Sequence, residues 1–166
     1  MTINDPILGI LEHGVHGWRG TISLFGYDLE LNFMDDPTQA KNAECQKLLA
    51  QFLKHETESK ASLERAVIDY HTSNLEDFRM WCSEEEEEEL VPTMHEPKDV
   101  WTQAKPFLMT LDCEDSERAS ICIEFRTTWD EEHGMDVIFR DDKIGVAYAG
   151  DDWSRHTLYD LTGRRS

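Results

Sequence analysis

Apolar and polar residues alternate through 17–33, GWRGTISLFGYDLELNF, on both sides of a Phe-Gly-Tyr step. A period of two is the signature of a strand with one buried face, so the text predicts two strands turning at Phe25-Gly26-Tyr27. Ile22 and Leu24 share a face, as do Tyr27, Leu29, Leu31 and Phe33. The period then lengthens. Asp36-Pro37 supplies an N-cap and a first-turn proline, and Cys45, Leu48, Leu49, Phe52 and Leu53 follow at helical spacing. A second helix is expected from Thr57 or Ser59, with Leu63, Val67, Tyr70, Phe78 and Trp81 on one stripe. These two form a central helical hairpin.

After Pro92 and Pro97, KDVWTQAK predicts a short helix ended by Pro106. PFLMTLD, ASICIEFRTTW, MDVIFR and KIGVAYAG then return to the strand pattern, separated by charged turns such as Arg140-Asp141-Asp142-Lys143. The expected fold is α+β: an antiparallel sheet, made of the N-terminal hairpin and a C-terminal meander, packed against the helical hairpin. The N-terminal hairpin either extends the meander or stacks on it. Residues 1–166 are read as one domain, with a mobile tail over 154–166.

Charge narrows the functions open to such a domain. With 35 acidic against 16 basic residues, the formal charge is −19. That field repels phosphate backbones and attracts cationic surfaces, so the expected partner is a basic protein and not a nucleic acid. No leader or membrane span is read from the sequence, and a cytoplasmic location is expected. Cys45, Cys82, Cys113 and Cys122 lack CxxC spacing and read as reduced, buried side chains. Oligomeric state is left open.

Two stretches hold candidate chemistry. Glu84, Glu85, Glu86, Glu87, Glu88 and Glu89 run together where the second helix should end. A helix C-terminus disfavours negative charge, so the run is read as a solvated acidic loop able to steer a basic partner. Trp153, and less so Trp101, could anchor that partner. The second stretch is TTWDEEHG, in which Asp130, Glu132 and His133 could supply metal ligands, with His13 and His16 completing the set. Successive strand side chains point to opposite faces, however, and a turn needs the same residues: Asp130 to bond the backbone and Gly134 to take a positive φ. There is no GxSxG elbow or phosphate loop, and no cofactor is called for.

The pairing of WRGTISLFGYDLEL with WDEEHGMDVIF resembles a widespread family of uncharacterised bacterial domains. Trp18, Gly20, Gly26, Trp129, Asp130, Glu131, Glu132, His133 and Gly134 carry that resemblance. It implies no catalytic residues, but it does imply company among toxin-immunity proteins and similar small binding modules. The expected function is therefore a small, acidic, non-enzymatic binding module, an immunity-type inhibitor of a cationic toxin or nuclease. The alternatives are a metal-dependent hydrolase using Asp130, Glu132 and His133, and a structural or regulatory protein.

Overall fold

The computed structural model describes residues 1–15, 17–33, 43–80, 82–112 and 119–166. The expectations placed on His16, Asp36-Pro37, Trp81 and Cys113 fall outside the described residues. The first four strands are β1 (Thr2–Asp5), β2 (Gly9–Gly14), β3 (Gly17–Leu24) and β4 (Tyr27–Phe33). Helices α1 (Ala43–Lys54), α2 (Glu56–Ser73), α3 (Leu75–Arg79), α4 (Glu87–Leu90) and α5 (Pro97–Gln103) follow. Strands β5 (Ala104–Asp112), β6 (Ser120–Thr127), β7 (Met135–Arg140), β8 (Lys143–Tyr148) and β9 (Thr157–Asp160) complete the chain.

The nine strands of the described residues form one sheet in sequence order, and every neighbouring pair is antiparallel except β4 and β5. A parallel pair cannot be closed by a tight turn and needs a crossover. The five described α-helices lie in that one crossover, so they gather on one face of the sheet. The N-terminal hairpin thus extends the meander's sheet through β4–β5. A further hairpin, β1–β2, which the sequence pattern does not predict, precedes it.

Alternation sets which face is buried. Ile121, Ile123 and Phe125 of β6, Val137 and Phe139 of β7, and Ile144 and Val146 of β8 point to the helices and are at most 6% exposed. Against them lie Cys45, Leu49 and Phe52 of α1 and Leu63, Ala66, Val67 and Tyr70 of α2. Burying each large side chain of this set contributes roughly 1.5–3 kcal/mol before chain entropy is subtracted. The β3–β4 turn places both Phe25 (φ 56°) and Gly26 (φ 88°) in the left-handed region, the conformation that matches the twist of a two-residue hairpin. Phe25 tolerates it because its ring is packed against Phe52 and Trp101.

Three expectations are revised. The helical stripe expected to run on to Phe78 breaks at Asn74, whose N–H and side-chain amide both bond back to Tyr70 O, so Phe78 belongs to α3. The short helix stops at Gln103 and not at Pro106, which lies inside β5. Cys45 is disulfide-bonded, whereas Cys82 and Cys122 are free; pairing depends on spatial approach, which spacing along the chain does not carry. Residues 154–166 add β9 to the sheet edge, and Tyr159 donates its hydroxyl to Asp69 of α2. No helix of the described residues is long and apolar enough to cross a membrane.

Candidate functional site

The β6–β7 connection carries the W-D-E-E-H-G motif, and hydrogen bonds to Asp130 shape it. Its carboxylate accepts from the His133 backbone N–H at 3.0 Å and lies 3.1 Å from the His133 ring Nδ1. Its carbonyl accepts from the Gly134 N–H and from Thr127 Oγ1, each at 3.0 Å. Gly134 takes φ 74° and comes so near β6 that a Cβ there would stand 2.3 Å from Phe125 O. Asp130 and His133 therefore face each other and hold the turn, while Glu131 and Glu132 stand exposed at its tip. Glu132 does not join them in a common ligand set: among the described residues no group of three or more His, Cys, Asp or Glu is placed to hold a metal ion. Three strands, β3 to β5, separate His13, which packs edge-on against Trp18 at 5.1 Å, from this turn.

Next to the turn is a cleft of about 490 Å³, lined by Asp77, Phe78 and Met80 of the α3 region, Trp129, Asp130, Glu132 and His133 of the turn, and Tyr148. Phe78 and Tyr148 meet at 88° with centroids 6.1 Å apart, forming two walls of a corner, and Trp129 lies 5.9 Å from Phe78. The Asp77 and Glu132 carboxylates make no hydrogen bond or ion pair among the described residues. Burial pushes the Tyr148 phenol up, and Asp130, Asp77 and Asp151 add to that shift because their negative potential reaches its oxygen.

The glutamate run lies on the same side. Arg79 reaches across from α3, donating to the Val91 carbonyl at 3.0 and 2.7 Å and pairing with Glu88 and Glu87. The Thr93 backbone N–H and Arg79 together hold the Glu88 carboxyl below the usual range. Glu87 and Glu88 are thus tied to the fold, whereas Glu84, Glu85, Glu86 and Glu89 point to solvent. Glu87 lines a second cleft of about 440 Å³ together with Glu76, Arg79 and Met80. Met80, 65% exposed, borders both clefts, so the glutamate run and the W-D-E-E-H-G turn belong to one continuous acidic face.

Trp153 and Trp101, the anchors expected from the sequence, are not on it. Trp153 lies over Gly145 on the sheet face away from the helices, 5.7 Å from the Arg140 guanidinium and 5.6 Å from the His156 ring. Trp101 is half-buried, stacked on Tyr27 and bonded through Nε1 to Glu64. A more apolar cleft of about 420 Å³ lies between the helices and the β7–β8 turn. Arg140 and Lys143 line it together with Glu58, Asp141 and Asp142, so its carboxylates, unlike those beside the turn, have cationic side chains in the same cleft.

On the outer sheet face Asp136 stands opposite Glu124, 6% exposed, with one carboxylate oxygen accepting from the Gly150 N–H at 2.8 Å and the other without a partner. Burial raises its pKa. A carboxyl raised on folding binds its proton more tightly in the native state, so its contribution to stability is lost as pH rises through the folded value. Asp136→Asn keeps an acceptor for Gly150. It is expected to stabilise the protein at pH 7 by about 1 kcal/mol, the low end of the cost of an unsatisfied buried group, and to give no gain below about pH 3.8, the pKa of an unfolded Asp. Urea melts at the two pH values check this, and an equal gain at both would refute the account.

A family model described as "Domain of unknown function (DUF6985)" matches residues 7–153, which takes in both hairpin motifs and leaves out the segment containing β9. No curated protein and no solved structure matches the chain.

Proposed function

We propose that this chain, which belongs to the DUF6985 family of domains of unknown function, is a non-enzymatic binding module that engages a basic protein, in the manner of an immunity-type inhibitor of a cationic toxin or nuclease. The observation that supports this most directly is the acidic face itself: two clefts joined at Met80, with Asp77 and Glu132 unpaired and no lysine or arginine lining the cleft beside the turn. Carboxylates with no cation beside them on the protein's own surface are free to pair with one from a partner. In a chain of formal charge −19 the surrounding field also speeds that encounter.

The roles divide by position. Glu84, Glu85 and Glu89 at the rim steer, since exposed charges act on association rate more than on affinity. The turn and α3 provide the contact surface, where aromatic rings exclude water around the carboxylates. Inhibition is steric and electrostatic: the acidic face covers a basic active-site cleft. Trp153 has no part in this surface.

Immobilised protein exposed to host lysate at low salt is expected to retain a basic protein that elutes by about 0.5 M salt, where the Debye length falls to a few ångströms. The double variant Asp77→Asn/Glu132→Gln should lose it. Asp28→Asn/Glu30→Gln, the same charge change on β4, should retain it. If no basic protein is retained at low salt, or if both variants behave alike, the reading fails.

A further inference from the structure

We propose that the cleft beside the W-D-E-E-H-G turn is a pocket for a single arginine side chain. This deepens the reading of the protein as a module for a basic partner, and rests on that reading for the pocket's natural occupant.

The sign of the ligand follows from what lines the cleft. Asp77, Asp130 and Glu132 contribute three carboxylates, with no lysine or arginine among the described lining residues. The nearest guanidinium in sequence, that of Arg79, is already committed to Glu88, Glu87 and the Val91 carbonyl. The imidazole of His133 is turned to Asp130. An anion would meet uncompensated negative charge, and an apolar group would leave desolvated carboxylates without partners.

Shape and chemistry then select the kind of cation. The most accessible ring is that of Tyr148, 39% exposed; Phe78, perpendicular to it, and Trp129, at 34° to Phe78, are each 8% exposed and back that wall. A cation held against such rings gains from their quadrupoles as well as from the carboxylates. A guanidinium is planar, weakly hydrated and able to stack on a ring while its edge forks to a carboxylate; an ammonium is a strongly hydrated point charge that does neither. Asp130 is fixed in advance by its bonds from the His133 and Gly134 segment, so less side-chain entropy is lost when it accepts.

The test uses the whole protein and three small probes: the N-acetyl, N-methylamide derivatives of arginine, lysine and citrulline. Citrulline has the shape of arginine without its charge. Titrations followed by backbone amide shifts are expected to give arginine a Kd on the order of 1 mM, in the range open to one small group. The shifts should concentrate at Phe78, Trp129, His133 and Tyr148. Lysine should bind at least about threefold more weakly, and citrulline should produce no localised shift. Tyr148→Ala removes a ring that is 39% exposed, so the fold should survive, which its melting curve verifies. Arginine affinity should fall about fivefold, as expected for losing one cation–π wall.

Arginine shifts scattered over all acidic surfaces, or citrulline equal to arginine, overturn the proposal. The two readings separate cleanly. Arginine binding in the cleft with no basic protein captured from the host leaves the pocket standing and removes the module. Capture that depends on Asp77 and Glu132, with the cleft silent to arginine, removes only the pocket.

Discussion

Lowering the pH from neutral to about 4 is expected to cost the protein about 3 kcal/mol through one side chain, His71 of α2. Its ring is fully buried, 5.6 Å from the Phe78 ring and 4.9 Å from that of Trp129, and among the described residues neither ring nitrogen has a hydrogen-bond partner. Burial first, and the Arg79 charge second, lower its pKa from 6.5 to about 4, with Glu88 acting weakly the other way. The sign is fixed by where the proton binds more tightly. Between pH 6.5 and 4 the unfolded chain takes up a proton that the folded chain refuses, so stability is full above the unfolded value and drains away as pH falls through that window. Some 2.5 pKa units correspond to about 3 kcal/mol at 1.36 kcal/mol each.

Carboxylates titrate nearby, so the comparison that isolates His71 is with His71→Phe, an aromatic of similar volume that cannot charge. Urea melts at intervals from pH 7.5 to 4 should show the wild-type curve falling away from the variant's below about pH 6.5. Parallel curves would show that the ring is hydrated or partnered in solution. Because His71 packs directly behind Phe78 and Trp129, the same loss should loosen two walls of the acidic cleft, so arginine-probe binding should weaken over the same window.

The elements legible in the sequence are those set by local patterns, whereas the cleft is assembled from residues far apart in the chain. The hairpin β3–β4 and strands β6–β8 announced themselves because each buries alternate residues, and a period of two is a local property. The β1–β2 hairpin did not: Leu11 is fully buried while its neighbour Ile10 is 66% exposed, so two adjacent apolar residues point to opposite faces and no alternation shows. Likewise Phe78 continues the apolar stripe of α2 although the helix breaks at Asn74, since hydrophobic spacing is blind to a local change of axis. The motif turn was readable because a glycine four residues beyond Asp130 is local chemistry. Its company was not. Asp77 comes from α3 and Tyr148 from β8, and nothing in the spacing of residues 77, 130 and 148 says that they meet. The glutamate run divided in the same way: only the reach of Arg79 distinguishes the tied Glu87 and Glu88 from the free Glu84 and Glu85.

Gly134→Ala is expected to be the most damaging single-methyl change in the chain's motif, destabilising by at least about 3 kcal/mol. Two costs combine. At φ 74° any L-residue pays roughly 1–2 kcal/mol for the left-handed conformation. The new Cβ would also stand 2.3 Å from Phe125 O, a backbone atom inside the β6–β7 ladder where Phe125 pairs with Met135. A flexible side chain could swing aside, but a carbonyl in a nine-stranded sheet cannot move without loosening the strand that carries it.

Gly26→Ala supplies the control. Gly26 takes φ 88° with nothing within 4 Å of the added Cβ, so it should cost only the conformational term, about 1 kcal/mol. The difference between the two variants in chemical unfolding measures the clash alone, and equal losses would mean that the turn does not approach β6 this closely. If the difference is found, the glycine of W-D-E-E-H-G gains a reason beyond turn closure. Only a residue without a side chain lets the turn lie flat against β6, and that position carries Asp130 and Glu132 to the mouth of the cleft. The acids would be available for recognition because the glycine beside them lets the backbone come so near.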